Sequence, residues 1–164
     1  LALVEASVDF PHGKERPTLR AVGFPVRHLD SVLRALSGEE TITKLLEGCS
    51  LTVRVSRVEG EVRDDGLEMA LATAILSVAF KVRLPSLAAF GAFRLNRDTE
   101  PVVRPRERQR AAGSGRVAML LAPTGADLEE SPGLYRLGNV EALVAWVLSQ
   151  PRDTTEHEQS AKTP

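Results

Sequence analysis

Residues 67–80 read Leu67-Glu68-Met69-Ala70-Leu71-Ala72-Thr73-Ala74-Ile75-Leu76-Ser77-Val78-Ala79-Phe80, and the reading of this stretch decides the fold. Alanine and leucine favour helix. Only Glu68, Thr73 and Ser77 interrupt the apolar run, so the helix has no polar face to offer water. A helix of that kind belongs in the middle of a fold, covered on all sides. It falls short of the roughly 20 apolar residues that a bilayer requires, and no other run in the chain is longer. No membrane association is expected.

Outward from this helix the periodicity changes. Residues 1–10 alternate, with Leu3, Glu5, Ser7 and Asp9 on one side and Ala2, Val4, Ala6, Val8 and Phe10 on the other. Period two predicts a half-buried strand. Pro11-His12-Gly13 opens a turn and residues 18–24 read as a second strand, so the two are expected to form a hairpin. Leu29, Val32, Leu33 and Leu36 predict a helix over 27–36, and a shorter helical piece over 42–46 ends at Gly48. Leu51, Val53 and Val55 alternate with polar residues in a strand over 51–58.

Downstream, residues 87–93 read as a strand, and Pro105 suits the first turn of a helix running to Ala112. Residues 116–122 contain Val117-Ala118-Met119-Leu120-Leu121, a short continuous apolar run that fits a strand covered on both faces. A further short strand is expected over 134–137. Asn139 is a cap for a last helix whose stripe is Val140, Leu143, Val144 and Val147, with Trp146 as core or interface packing. From Pro151 the only aliphatic residue is Ala161, which predicts a disordered tail over 150–164 behind a single domain over 1–149. The order of elements predicts an α+β fold, an α/β sandwich.

Composition excludes several functions. The chain has 164 residues, 43% hydrophobic and 26% charged, with a formal net charge of -1. It is therefore ordinary for one globular domain and not generically basic. The one cysteine, Cys49, rules out a disulfide framework and a cysteine-built zinc site, and reads as a buried, inert thiol. His12, His28 and His157 have no partners at metal-ligand spacing. Gly113-Ser114-Gly115 is not followed by the lysine of a phosphate loop and reads as a helix exit turn. No cofactor and no metal are expected. The acidic group Glu59, Glu61, Asp64, Asp65 and Glu68 fits either a hard cation or a solvated loop beside a helix N-terminus.

Charge concentrates in one place. Between residues 94 and 116 there are seven arginines (94, 97, 104, 106, 108, 110 and 116) against Asp98, Glu100 and Glu107, a local excess of four on a chain of net -1. Guanidinium groups fork onto phosphates, so the cluster reads either as a nucleic-acid contact or as a solvated helix face with intersubunit ion pairs. The N-terminal Leu1 begins abruptly in strand-like sequence, which suggests a piece of a longer protein. A cytoplasmic or organelle-matrix location is expected.

Leu3-Val4-Glu5-Ala6, Ala21-Val22-Gly23, Ala72-Thr73-Ala74-Ile75 and the stretch from Gly91 to Ala111-Ala112, taken with the order of elements, resemble the proteolytic domain of the Lon proteases. More closely, they resemble the Lon-like C-terminal domain of the RadA (Sms) family of recombination proteins. Ala72-Thr73-Ala74-Ile75 is similar to the alanine-rich run of the buried Lon helix, which sets Gly66 where Lon has its nucleophilic serine. Counting without gaps from Gly91 through Pro101 to Ala111-Ala112 sets Arg106 where Lon has its lysine. The RadA helix also lacks the serine, and Asp64 and Glu68 match its acidic residues in spacing. Leu3-Val4-Glu5-Ala6 resembles the first RadA strand and Ala21-Val22-Gly23 its Ala-Val-Gly. Ala92 departs from the Gly-Glu strand and Arg97 replaces a turn glycine.

The resemblance implies a Lon-like fold with β-α-β crossovers and a degenerate dyad. Glycine supplies no nucleophile, and a guanidinium stays protonated where a base is needed. It further implies a ring, six-fold in these families, that holds an ATPase domain of the parent protein in register. Arg104, Arg106, Arg108 and Arg110 are then the expected DNA-contact or interface residues. Two other readings stand beside it. One is a diverged peptidase with Ser56, Ser77 or Ser114 as nucleophile, and the other is a stand-alone adaptor that binds a protein partner.

Overall fold

The computed structural model describes residues 2–9, 18–56, 65–115 and 117–152. The molecule is an α+β fold. β1 (Leu3–Asp9), β2 (Leu19–Val22) and β3 (Ser50–Ser56) form one sheet, and α1 (Val26–Leu36) and α2 (Glu40–Leu46) connect β2 to β3. Next come α3 (Glu68–Ala79), entered through a 3₁₀ turn at Asp65–Leu67, then β4 (Leu87–Ala89) and the small pair β5 (Ala92–Phe93) and β6 (Thr99–Glu100). α4 (Pro105–Ser114), β7 (Met119–Pro123), β8 (Leu134–Leu137) and α5 (Val140–Leu148) complete the order.

The hairpin expected between the first two strands does not form. The sheet order is β1-β3-β2, with β3 antiparallel to β1 and parallel to β2. Burial explains the arrangement. Leu51, Val53 and Val55 are buried, so β3 takes the centre, where both edges are hydrogen-bonded, whereas β1 has no fully buried residue and lies at an edge. The α1–α2 excursion from β2 to its parallel neighbour is a β-α-β crossover, and α4 lies between the parallel neighbours β4 and β7.

The second sheet has the order β4-β7-β8, all parallel. As expected for β7, both faces are covered. Leu121 enters the main core, while Leu120 and Ala122 enter a smaller cluster with Phe90, Ala112, Ala126 and Leu128. The strand expected over 87–93 is broken in two at Gly91, whose φ is +150°. A Cβ there would lie 2.7 Å from Pro123 Cγ, so only glycine lets the chain cross so close.

α3 occupies the centre. Met69, Leu71, Ala72, Ile75 and Leu76 are fully buried, and the helix packs on β1, α1, α2, β4, β5 and α5. The Asn139 side chain caps α5 by accepting from the Ala142 amide at 2.8 Å. Trp146 is buried and meets Tyr135 edge-on, with ring centroids 5.8 Å apart. The first residues of the expected tail are tied to the fold. Pro151 accepts a hydrogen bond from the Arg83 amide (2.8 Å) and Arg152 bridges to Val82, while residues 153–164 lie outside the described residues. Among the described residues no helix is long and apolar enough to cross a membrane.

Candidate functional site

α3 and α4 face one open groove. Gly66, Leu67, Ala70, Thr73 and Ala74 contribute from the α3 side, and Arg104, Arg108 and Ala111 from the α4 side. Strand β4 and the start of β1 complete the walls. The small side chains at positions 70, 74 and 111 leave the space between the two helices unfilled. The two Lon-matched positions behave differently. Gly66 lines the groove, and its carbonyl accepts from the Gly91 amide at 3.0 Å. Arg106 is not among the residues that line the groove. Its guanidinium donates to Asp127 Oδ1 at 3.0 Å, and that hydrogen bond together with the carboxylate's charge pushes its pKa up, so it stays protonated.

The other arginines of α4 divide by environment. Arg108 donates through Nε to the Val103 carbonyl (3.0 Å) and its guanidinium lies 5.8 Å from the centre of the Phe90 ring, a cation–π contact. Arg104 caps α4 in the left-handed conformation (φ +58°, ψ +49°) and pairs weakly with Glu107 at 3.6 Å. Arg110 is exposed and makes no ion pair with a described residue. Arg104, Arg106 and Arg110 are thus exposed on the surface, and Arg108 is half held by the groove wall. Arg116 lies outside the described residues.

Arg97 stands apart from this set. It adopts φ +72° in the turn between β5 and β6, donates to the Ala35 carbonyl at 3.1 Å, and pairs with Glu39 (2.5 Å) and Glu141 (2.8 Å). A single side chain therefore ties the β5–β6 turn to α1, the start of α2 and α5. The residue that sequence reasoning counts as part of a basic patch is a structural tie.

The acidic group is scattered in the same way. Glu59, Glu61 and Asp64 lie outside the described residues, as does the side chain of Asp65. Glu68 is buried rather than solvated. Its Oε2 accepts from the Phe93 amide at 2.8 Å, and Oε1 lies 3.7 Å from Nδ1 of the buried His28. This pair joins the first turns of α1 and α3, and sequence reasoning misses it. The available signal is the spacing of His28 to Val32 and Ala35, which puts the imidazole on the buried face of α1. Among the described residues no group of three His, Cys, Asp or Glu could hold a metal ion. His12 and His157 lie outside them.

Three hydroxyls and the thiol donate to backbone carbonyls. Ser77 Oγ donates to the Val82 carbonyl (2.7 Å), Ser114 Oγ to Ala111 (2.9 Å) and Thr73 Oγ1 to Met69 (2.7 Å). Ser56 is exposed at the end of β3. Cys49 is buried, its Sγ donates to the Leu45 carbonyl, and burial pushes the thiol pKa up, which keeps it in the unreactive form. Compared with known proteins, the chain matches no family model and no curated sequence.

Proposed function

We propose that this chain is a catalytically inert Lon-like domain of a RadA-like recombination and repair ATPase. In this reading it assembles with copies of itself into a ring and turns the arginines of α4 toward DNA. The observation that carries the reading is the pairing of α3 and α4 across one groove, with glycine at the position matched to the nucleophile. The position matched to the lysine is an arginine already bound to Asp127. A groove with glycine at the serine-matched position and no lysine among its lining residues suits a fold kept for assembly.

Three backbone features support the family resemblance. Gly23, from the Ala-Val-Gly motif, has φ +83°, and a Cβ there would meet the Val55 carbonyl oxygen. Gly91, from the Gly-Glu motif, sits in the close crossing described above. Arg97, which replaces a turn glycine of the family, holds a left-handed φ that glycine adopts without cost. All three positions have a positive φ, which glycine adopts more readily than other residues.

Assembly has apolar surface to work with: Leu95 is 91% exposed and Val103, beside α4, is 75% exposed. The reading is tested by light scattering at micromolar concentration together with a serine-directed covalent probe. A closed ring of six copies of a 17.8 kDa chain gives about 107 kDa. A stable monomer would overturn the assembly role and favour the adaptor. Stoichiometric labelling by the probe would overturn catalytic inertness.

A further inference from the structure

Helix α1 carries Arg27, Asp30, Ser31 and Arg34 at i, i+3, i+4 and i+7, one stripe beside its buried face. The β5–β6 turn rises next to that stripe and brings Arg94 against it. Together they line an open cavity of about 240 Å³ that Ala35 and Phe93, both buried, also line. Arg27, Arg34, Arg94 and Ser31 line it together with the exposed Leu95, and Asp30 is its one acidic residue.

The charge balance of this cavity differs from that of its neighbour Arg97. Two carboxylates and a carbonyl satisfy Arg97. Neither Arg27 nor Arg34 pairs with a described residue, and Arg94 has only Glu100 at 3.2 Å. Arg27 and Arg34 flank Asp30 on one helix face, and with Arg94 they leave a local excess of positive charge that an anion would offset. The apolar lining of Ala35 and Phe93 lowers the local dielectric and strengthens that attraction. The cavity is smaller than the roughly 300–1,000 Å³ that drug-sized ligands fill, so its occupant is compact. Guanidinium forks match the oxygens of a phosphate bidentately, and the Ser31 hydroxyl adds a donor.

We infer that the cavity between α1 and the β5–β6 turn binds a phosphate group. Arg27, Asp30, Ser31 and Arg34 lie outside the stretches that carry the Lon-like resemblance, and Arg94 is not one of its matched residues, so the inference does not rest on the proposed function. The phosphate has two possible sources, a small phosphate ester or the backbone of a nucleic acid.

The test is an NMR titration of the full chain, following the Nε–Hε signals of Arg27, Arg34 and Arg94, first with inorganic phosphate and then with a twelve-residue oligothymidylate. Phosphate is expected to shift these signals, and Arg27→Gln/Arg34→Gln to weaken the response about tenfold or more, as loss of charge-assisted hydrogen bonds implies. Both positions are exposed on α1, so the double variant keeps its fold. Arg104→Ala/Arg110→Ala should leave the response intact, which separates this site from α4. If the oligonucleotide moves the same signals at a lower concentration than phosphate does, the source is a nucleic-acid backbone. The reverse order indicates a small phosphate ester. Signals that neither compound moves, or shifts of equal size at the exposed Arg54 and Arg110, would overturn the inference.

Discussion

α3 and α4 face each other across one groove and are built from opposite materials. α3 is mostly apolar, with four alanines, and its one charged side chain, Glu68, is buried against His28 and the Phe93 amide. α4 opens Pro-Arg-Glu-Arg-Gln-Arg, and of its residues only Ala112 is fully buried. α3 is held by the interior and holds the two sheets in place. α4 is docked by Ala112 against the small cluster that includes Leu120 and Ala122 of β7, by Gln109 against the Glu129 backbone and by Arg106 against Asp127. This leaves Arg104 and Arg110 exposed.

The largest expected effect comes from breaking the interior side. Leu71→Ala, at a fully buried position, should cost about 2–5 kcal/mol by urea denaturation, from lost transfer energy and the cavity left behind. Arg110→Ala on the opposite helix should stay within about 0.5 kcal/mol. Similar costs at the two sites would erase the contrast between the helices. Next in size is Glu68→Ala, which strips the acceptor from the buried Phe93 amide and should cost about 1–3 kcal/mol. Glu68→Gln keeps a carbonyl acceptor and should recover part of that loss in the same denaturation series.

Arg97 sharpens the comparison, because its charge is used inside the fold although its sequence context matches the arginines of α4. Arg97→Ala loses the tie and keeps a left-handed backbone, whereas Arg97→Gly loses the tie but relieves the strain. The alanine variant should therefore be the less stable by about 1 kcal/mol. The smallest effect is expected at Asp127→Asn. Release of the exposed Arg106 should tighten single-stranded DNA binding by no more than about fivefold, measured by fluorescence anisotropy.

Local signals carry much of this fold. The apolar all-round character of residues 67–80 places α3 in the centre, the unbroken run at 117–121 identifies a strand covered on both faces, and Asn139 marks the cap of α5. Pairing is less legible. Nothing in residues 1–10 or 18–24 says that β3, about thirty residues later, will separate them, because strand order depends on which strand buries the most apolar surface. The break at Gly91 is hidden as well, since it depends on the approach of Pro123 and Met69 from elsewhere in the chain.

At the candidate site the sequence exposes residue types but not their partners. Arg97 and Arg106 look alike in the string, and only the distant positions of Glu39, Glu141 and Asp127 separate a structural tie from a surface cation. The same holds for Glu68. Its neighbours in the string make it one of five acids that read as a cation site or a solvated loop, and only the fold brings His28, forty residues upstream, beside it.

The most direct test of the account is the salt dependence of single-stranded DNA binding by the unmodified chain and by Arg104→Ala/Arg110→Ala. A plot of log affinity against log salt should fall steeply for the parent. Every phosphate that the variant no longer neutralises should flatten the slope by about 0.7. Affinity that ignores salt, or an identical slope in both proteins, would contradict an outward role for the charges of α4.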